Sequence, residues 1–306
     1  MLTYIARRIV QTIPIILGVI FIIFFIMHLV PGDPATMMAG ESASPEVVER
    51  VREDLGLNDP FLVQYFRYVS NVVHGDLGES YRSNRSVTEE IMARLPTTIV
   101  LSLAATFVTI VLGMIAGIIS ATKQNSWSDR ILMVVSLLGV SFPSFWMGMV
   151  FVYVFSVKLG IFPTSGWGSI SQMVLPSIAL GLMGAAIVAR MTRSSMLDVI
   201  RQDYIRTAKA KGLKKVIVVY KHALKNALIP IITVTGLQFG SLLSGAVIIE
   251  SVFAINGLGR MVVDAIKMRD IPVVQGGVLV ASLLFVFVNL VVDILYRKFN
   301  KRIDAV

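Results

Sequence analysis

The residue types that usually carry chemistry are sparse in this chain. None of its 306 residues is cysteine and three are histidine, so disulfides, thiolate metal sites, iron–sulfur clusters and cysteine nucleophiles are excluded. There is no H-E-x-x-H, no G-x-S-x-G and no G-x-x-x-x-G-K-[ST]. The chain therefore offers no hydrolytic site of those types and no phosphate loop with which to split a nucleotide by itself. What remains is unreactive polarity. Thr233, Thr235, Gln238, Ser241 and Ser244 give one apolar stretch five hydrogen-bonding side chains, suited either to wetting a path for a polar solute or to bonding neighbouring helices. Ser141-Phe142-Pro143-Ser144-Phe145-Trp146 places a proline inside another stretch, where a bend and a freed carbonyl suit a hinge, a cavity wall or a static kink. The densest cluster is basic, with residues 190–226 holding ten of the 28 Lys and Arg.

Composition determines what must position these groups. The chain is 55% hydrophobic and 15% charged, with a mean hydropathy of +0.77, whereas soluble domains average about 25% charged. Six runs, near 9–30, 96–120, 131–157, 173–189, 227–249 and 273–295, approach or exceed the ~20 apolar residues that a membrane-spanning helix requires. The expected fold is thus all-α, with six transmembrane helices. Of the 28 Lys and Arg, 18 fall at the two ends and in the 121–130 and 190–226 loops, while 14 of the 19 acids fall on the other side. The positive-inside rule then places both termini in the cytoplasm and explains the net +9 charge without nucleic acid. The first run is too long for a signal peptide and lacks a small-residue cleavage site, so it reads as a retained span. Away from their ends the runs contain no Asp, Glu, Lys or Arg, and His28 alone is ionisable. An ion-coupled carrier, which needs such groups, is disfavoured.

The organisation expected is a span at 1–30, an extracytoplasmic segment at 31–95, and a five-helix core at 96–306 with a cytoplasmic loop at 190–226. In the outer segment Ser44-Pro45-Glu46 starts a helix carrying Val47, Val51 and Leu55 and closed by Gly56. A second amphipathic helix runs from Pro60 to about His74. The pair suits a docking surface for an extracytoplasmic partner, or simply packing on each other and on the membrane. In the basic loop, Asp203 to Gly212 reads as a short helix capped by Asp203 and ended by Gly212, with Ala208 and Ala210 keeping part of its surface small. A second helix bearing Val216, Val219, Tyr220, Ala223 and Ala227 is expected to lie along the headgroups. Such a protruding turn is a lever for a partner; composition alone equally fits a basic loop held on anionic lipid.

The segment Asp203-Tyr204-Ile205-Arg206-Thr207-Ala208-Lys209-Ala210-Lys211-Gly212-Leu213, followed by His222-Ala223-Leu224-Lys225-Asn226-Ala227-Leu228-Ile229-Pro230, resembles the Glu-Ala-Ala-x-x-x-Gly loop of ABC-importer permeases. Pro31-Gly32-Asp33-Pro34, His74-Gly75-Asp76-Leu77-Gly78, Arg190-Met191-Thr192-Arg193-Ser194-Ser195-Met196, Gly257-Leu258-Gly259-Arg260 and Pro272-Val273-Val274-Gln275-Gly276-Gly277 extend the resemblance to the dipeptide, oligopeptide, glutathione and nickel branch. It implies a type I importer permease in a prokaryotic cell membrane, itself not an enzyme. It pairs with a second, similar permease, sits on two cytoplasmic ATPases that hold ATP and Mg, and receives solute from an extracytoplasmic binding protein. Tyr204, Arg206, Thr207, Ala208, Lys211, Gly212, Leu213 and Leu224 are then the expected ATPase-coupling residues, with Ala208 and Gly212 matching the motif's second Ala and its Gly. Ser141, Phe142, Pro143, Trp146, Thr233, Gln238, Ser241 and Ser244 are the expected translocation pathway. Asp33, Gly257, Gly259 and Arg260 are the expected outer partner contact or gate. The chain departs from the pattern at Arg206, where the general motif has Glu, at Thr207, where it has the first Ala, at Lys225, and at Asn256.

Overall fold

The computed structural model describes residues 2–29, 32–40 and 43–299, with side chains described there except at 2–6, 244, 245, 293 and 295–299. Pro31 of the Pro31-Gly32-Asp33-Pro34 motif and the side chain of Ser244 lie outside the described residues. In chain order the helices are α1 (Leu2–Leu29), α2 (Pro34–Ala39), α3 (Pro45–Asp54), α4 (Phe61–Val73), α5 (Val87–Thr122), α6 (Trp127–Ser141), α7 (Ser144–Phe151), α8 (Ile170–Ile200), α9 (Asp203–Ala210), α10 (Lys215–Ile217), α11 (Leu224–Val252), α12 (Leu258–Met268) and α13 (Ile271–Phe299). π-helical stretches extend α7 through Val152–Lys158 and join α10 to α11 through Val218–Ala223. Five helices are long and apolar enough to cross a membrane: Arg7–Leu29, Val87–Thr122, Ile170–Ile200, Lys215–Leu243 and Ile271–Val292. The sixth run is a broken pair, Trp127–Ser141 and Ser144–Lys158, bent by 105°. Pro143 is the cause. Proline drives the preceding residue out of the helical region, and Phe142 sits at φ −93, ψ 131. The proline thus ends one helix and starts another, rather than kinking a continuous one.

The chain divides into two compact units, Met1–Thr97 with Asn256–Val286, and Thr98–Ile255 with Phe287–Val306. In the first, Ile20, Ile23 and Phe24 of α1 meet Tyr65, Tyr68, Val69 and Val72 of α4, together with Leu279 of α13. The outer face of α4 stays bare at Leu62, Val63, Phe66 and Val73. Helix α3 begins at Pro45 as expected, but Ser44 makes no side-chain cap; its hydroxyl donates to Glu46 Oε2 at 2.9 Å instead. Gly56 closes α3 at φ +62, the conformation glycine supplies at C′. Helix α12 packs Leu258, Met261 and Ala265 on Val87, Ile91, Val273 and Val274. Buried Asp270 pins the turn after it, accepting from Ser80 Oγ and from the Tyr81 amide.

In the second unit α8 is central, packed by α6, α7 and α11. Small residues set the spacing. A Cβ on Gly113 would meet Val188 at 2.7 Å and the Ala185 carbonyl oxygen at 2.8 Å, and one on Gly117 would meet Thr192 Cβ at 2.4 Å and the Ala189 carbonyl oxygen at 2.6 Å. These glycines let backbones approach in a setting where van der Waals contact, not expulsion of water, joins helices. Gly236 does the same against Val292. Thr109 Oγ1 donates to the Gly181 carbonyl at 2.9 Å across the α5–α8 seam. Replacing Gly117 with Val should therefore destabilise the purified protein by about 1–3 kcal/mol through overpacking. Gly18→Ala, where no atom lies within 4 Å, should leave it unchanged or slightly stabilised, as measured by thermal unfolding in detergent.

Candidate functional site

Helix α9 is held by a hydrophobic anchor. Ile205 is fully buried and Ala208 is 6% exposed, both in a cluster with Met196 of α8, Val218, Val219, Ala223 and Ala227, against which Leu224 also packs. The helix starts one residue earlier than a cap at Asp203 would place it. Gln202 occupies the N-cap without a side-chain bond, and Asp203 lies in the first turn, 3.5 Å from Arg206 in an exposed pair, of the sort that contributes little. Gly212 ends it at φ +74. Tyr204 Oη accepts from Asn226 Nδ2 at 2.8 Å, tying α9 to α11. Tyr204, Arg206, Thr207, Lys211, Gly212 and Leu213 are brought together on the exposed side. Ala208, expected on a contact surface, instead lets α9 lie close against its own helices.

The expected headgroup helix is also corrected. Residues from Lys215 run without a break into α11, because Val218, Val219 and Ala223 find apolar partners in the α8–α9 anchor. Helix α9 is therefore joined to one spanning helix through α8, which extends eleven residues beyond its apolar run to Ile200, and to a second through α10.

A buried ionic clamp ties α8 to α6. Asp129, 3% exposed, accepts from Arg193 Nε at 2.7 Å and from the Arg193 guanidinium a second time at 2.8 Å. It also accepts from Ser120 Oγ and from the Asn125 amide at 2.9 Å. All its acceptor positions face donors, which makes a buried carboxylate tolerable. Arg193 stood in a recognised motif without an assigned role, and Asp129 counted only as a loop charge. An acid three residues after the helix-capping Ser126 was the available signal. Glu250 was missed because it follows the fifth apolar run. It is fully buried and accepts from Thr98 Oγ1, joining α11 to α5.

Thr233 and Thr235 donate to the carbonyls of Ile229 and Ile231 on their own helix, while Gln238 is half-buried and Ser241 exposed. Ser141, Phe142, Pro143 and Trp146 are exposed at the break, with the Phe142 and Trp146 rings stacked at 4.7 Å. Between α1 and α5, Asp33 caps α2, accepting from the Ala35 amide, Thr36 Oγ1 and Arg52. Burial alone would raise its pKa, but the bonds from Thr36, Arg52 and Ala35 outweigh that and hold it below the ordinary carboxylate value. Asp33 borders a cavity of 630 Å³ that Arg52, Gln64, Tyr68, Asn71 and Gln275 also line. Gly257 is the N-cap of α12, Gly259 is buried, and Arg260 lies 3.5 Å from Asp264.

Five unbroken apolar spans and one broken pair, with an exposed basic helix anchored to two of the helices, describe a multi-span helical membrane protein. Residues 110–305 match the family of binding-protein-dependent transport system inner membrane components, and residues 1–103 match the N-terminal region of such membrane components. The chain belongs to that family and is a multi-pass inner-membrane protein. It is 46% identical to the glutathione transport system permease protein GsiC of Escherichia coli and 45% identical to the dipeptide transport system permease protein DppB of Alkalihalophilus pseudofirmus, with 99% of each chain covered in both cases. Its fold is that of the inward-facing MetNI methionine ABC transporter, at a TM-score of 0.59 and 18% identity over 69% of this chain and 96% of that one. An amino acid ABC transporter gives 0.55 at 14%, over 69% and 94%.

Breaking the clamp from one side leaves a buried charge unpaired, so Arg193→Met should cost about 3 kcal/mol of stability. The double variant Asp129→Leu/Arg193→Met should recover most of that loss. A thermal-unfolding double-mutant cycle measures the coupling.

Proposed function

We propose that this chain forms half of the translocation pathway of an ATP-driven importer for short peptides, with both termini in the cytoplasm. Its companions are a second homologous permease, two cytoplasmic ATPases and an extracytoplasmic solute-binding protein. ATP and Mg belong to the ATPases, and this chain performs no catalysis. Dipeptides and oligopeptides are the solute class favoured by similarity to DppB. The comparable identity to GsiC supports glutathione, itself a tripeptide, as the second reading, and binding measurements on the associated receptor separate the two.

The observation that carries the mechanism is the anchor of α9. In this reading an ATPase grips the exposed face around Tyr204, Arg206, Thr207, Lys211 and Gly212. Ile205 and Ala208 pass that movement to α8 and α11 as a rigid contact, since close-packed cores shift as blocks rather than deform continuously. The Asp129–Arg193 clamp carries it on to α6. The break at Pro143 and the polar side chains Thr233, Gln238, Ser241 and Ser244 are assigned to the pathway, whose two arrangements alternate in access. Gly257, Gly259 and Arg260 are assigned to the outer gate, and Asp33 to the outer segment that meets the receptor.

Two outcomes test this. A β-branched residue at Gly212 is strained by its positive φ, at a cost of about 1–3 kcal/mol, although no atom lies within 4 Å of a Cβ there. Gly212→Val should leave membrane insertion intact and lower uptake about tenfold, while Gly212→Asn, which tolerates that conformation, restores it. Uptake by the complete complex in vesicles should also survive collapse of the proton gradient while ATP is maintained. Concentration of solute by this chain alone would overturn the proposal.

A further inference from the structure

Helix α4 packs on two membrane spans far from their ends. Lys, Arg, Asp and Glu are absent from 9–32 and from 271–292, so charges at both ends fix the depth of each run. Gly18 is the midpoint of the span Arg7–Leu29, and the span Ile271–Val292 is centred between Ala281 and Ser282. Tyr65, Tyr68, Val69 and Val72 of α4 pack against the cluster of Ile20, Ile23 and Leu279, and Tyr65 Oη donates to the Leu17 carbonyl at 3.3 Å. The rings of Phe61, Tyr65 and Tyr68 lie 5.3, 5.7 and 5.7 Å from that of Phe24. At a rise of about 1.5 Å per residue, Ile20 is about 3 Å along the axis from the middle of its span, Phe24 about 9 Å and Leu279 about 4 Å. A hydrocarbon core about 30 Å thick reaches about 15 Å either side of its midplane. Helix α4 therefore meets both spans inside that core.

The remaining faces of α4 differ in chemistry. Leu62, Phe66 and Val73 fall within about 40° of one another around a helix of 3.6 residues per turn, and they are 60%, 65% and 77% exposed. The stripe is bulky and lacks the Gly, Ala or Ser that lets membrane helices approach closely, so it suits acyl chains better than a second helix. Gln64, Arg67 and Asn71 face the other way and line the 630 Å³ cavity with Asp33 and Arg52, and Arg67 is paired with Asp59. An ionised side chain beside hydrocarbon is tolerated where it faces such a space. We infer that the Leu62, Phe66 and Val73 stripe is covered by phospholipid acyl chains, with water in the cavity on the opposite face. Helix α4 is then a partition between lipid and water, not a docking surface raised above the membrane. The inference goes beyond the importer reading and is independent of the solute carried.

The chain has no cysteine, so nitroxide labels can be placed singly at Leu62→Cys, Phe66→Cys, Val73→Cys and Asn71→Cys in the complete complex in phosphatidylcholine vesicles, with the unsubstituted complex as the blank. Power saturation should show collisions with oxygen, which concentrates in hydrocarbon, exceeding those with a water-soluble nickel chelate at 62, 66 and 73. The order should reverse at 71. Nickel-dominated collisions at 66 and 73 overturn the lipid contact. So does access there by neither reagent, the result expected if the second permease or the binding protein covers the stripe. Oxygen dominance at 71 as well overturns the aqueous face. A second measurement needs no substitution: a phosphatidylcholine with a photoreactive group midway along its acyl chain should label 61–73 in the unmodified complex. Labelling of α1 without labelling of 61–73 overturns the inference even if the cysteine variants fail to assemble.

Discussion

Ile205 and Ala208 of a basic, solvent-facing helix sit in the same apolar cluster as Met196 and Val218, and the mechanical reading of the molecule depends on that contact. Without it, α9 would be a charged loop of eight residues, too short to hold helical structure in water by its own propensity. With it, the helix has a fixed place against two spanning helices and keeps an exposed polar side. The polar side is free to be gripped because the apolar side is fully engaged. In the proposed importer, force applied from the cytoplasm has one stiff route into the membrane.

Buried polarity in the second unit serves the same stiffness. Asp129 and Glu250 are the acids buried there among the described residues, and each links helices rather than lining an open site. A carboxylate held by a bidentate guanidinium, a hydroxyl and an amide is costly to pull apart and specific in geometry. Close glycine seams between α5 and α8 add contacts that tolerate no added methyl group. Two threonines of α11 behave differently. Thr233 and Thr235 satisfy themselves on their own backbone, so they add polarity along the helix without fixing it to a neighbour.

Much of this was legible in the sequence because membrane insertion is governed by local composition. Length and hydropathy alone marked the spans, since backbone groups in a bilayer must be satisfied within a helix. The ends of α3 and α4 followed from Pro45, Gly56 and Pro60, and Gly212 marked the end of α9. Basic residues and motif spacing pointed to 203–230. Helix α12 was passed over although Leu258, Met261, Val262 and Ala265 show helical spacing, because its stripe is short and lies in a stretch read as a loop.

The sequence by itself thus determined where the apolar segments lie and which turn carries the charge, both properties of neighbours in the chain. Only the tertiary structure decided that Ala208 faces inward, that α10 continues into α11, that Pro143 breaks its span by 105°, and that Arg193 finds Asp129 across 64 residues of chain. Each of those outcomes depends on which distant side chain supplies the contact or the counter-charge. That information is absent from any local window and appears only once the helices are packed.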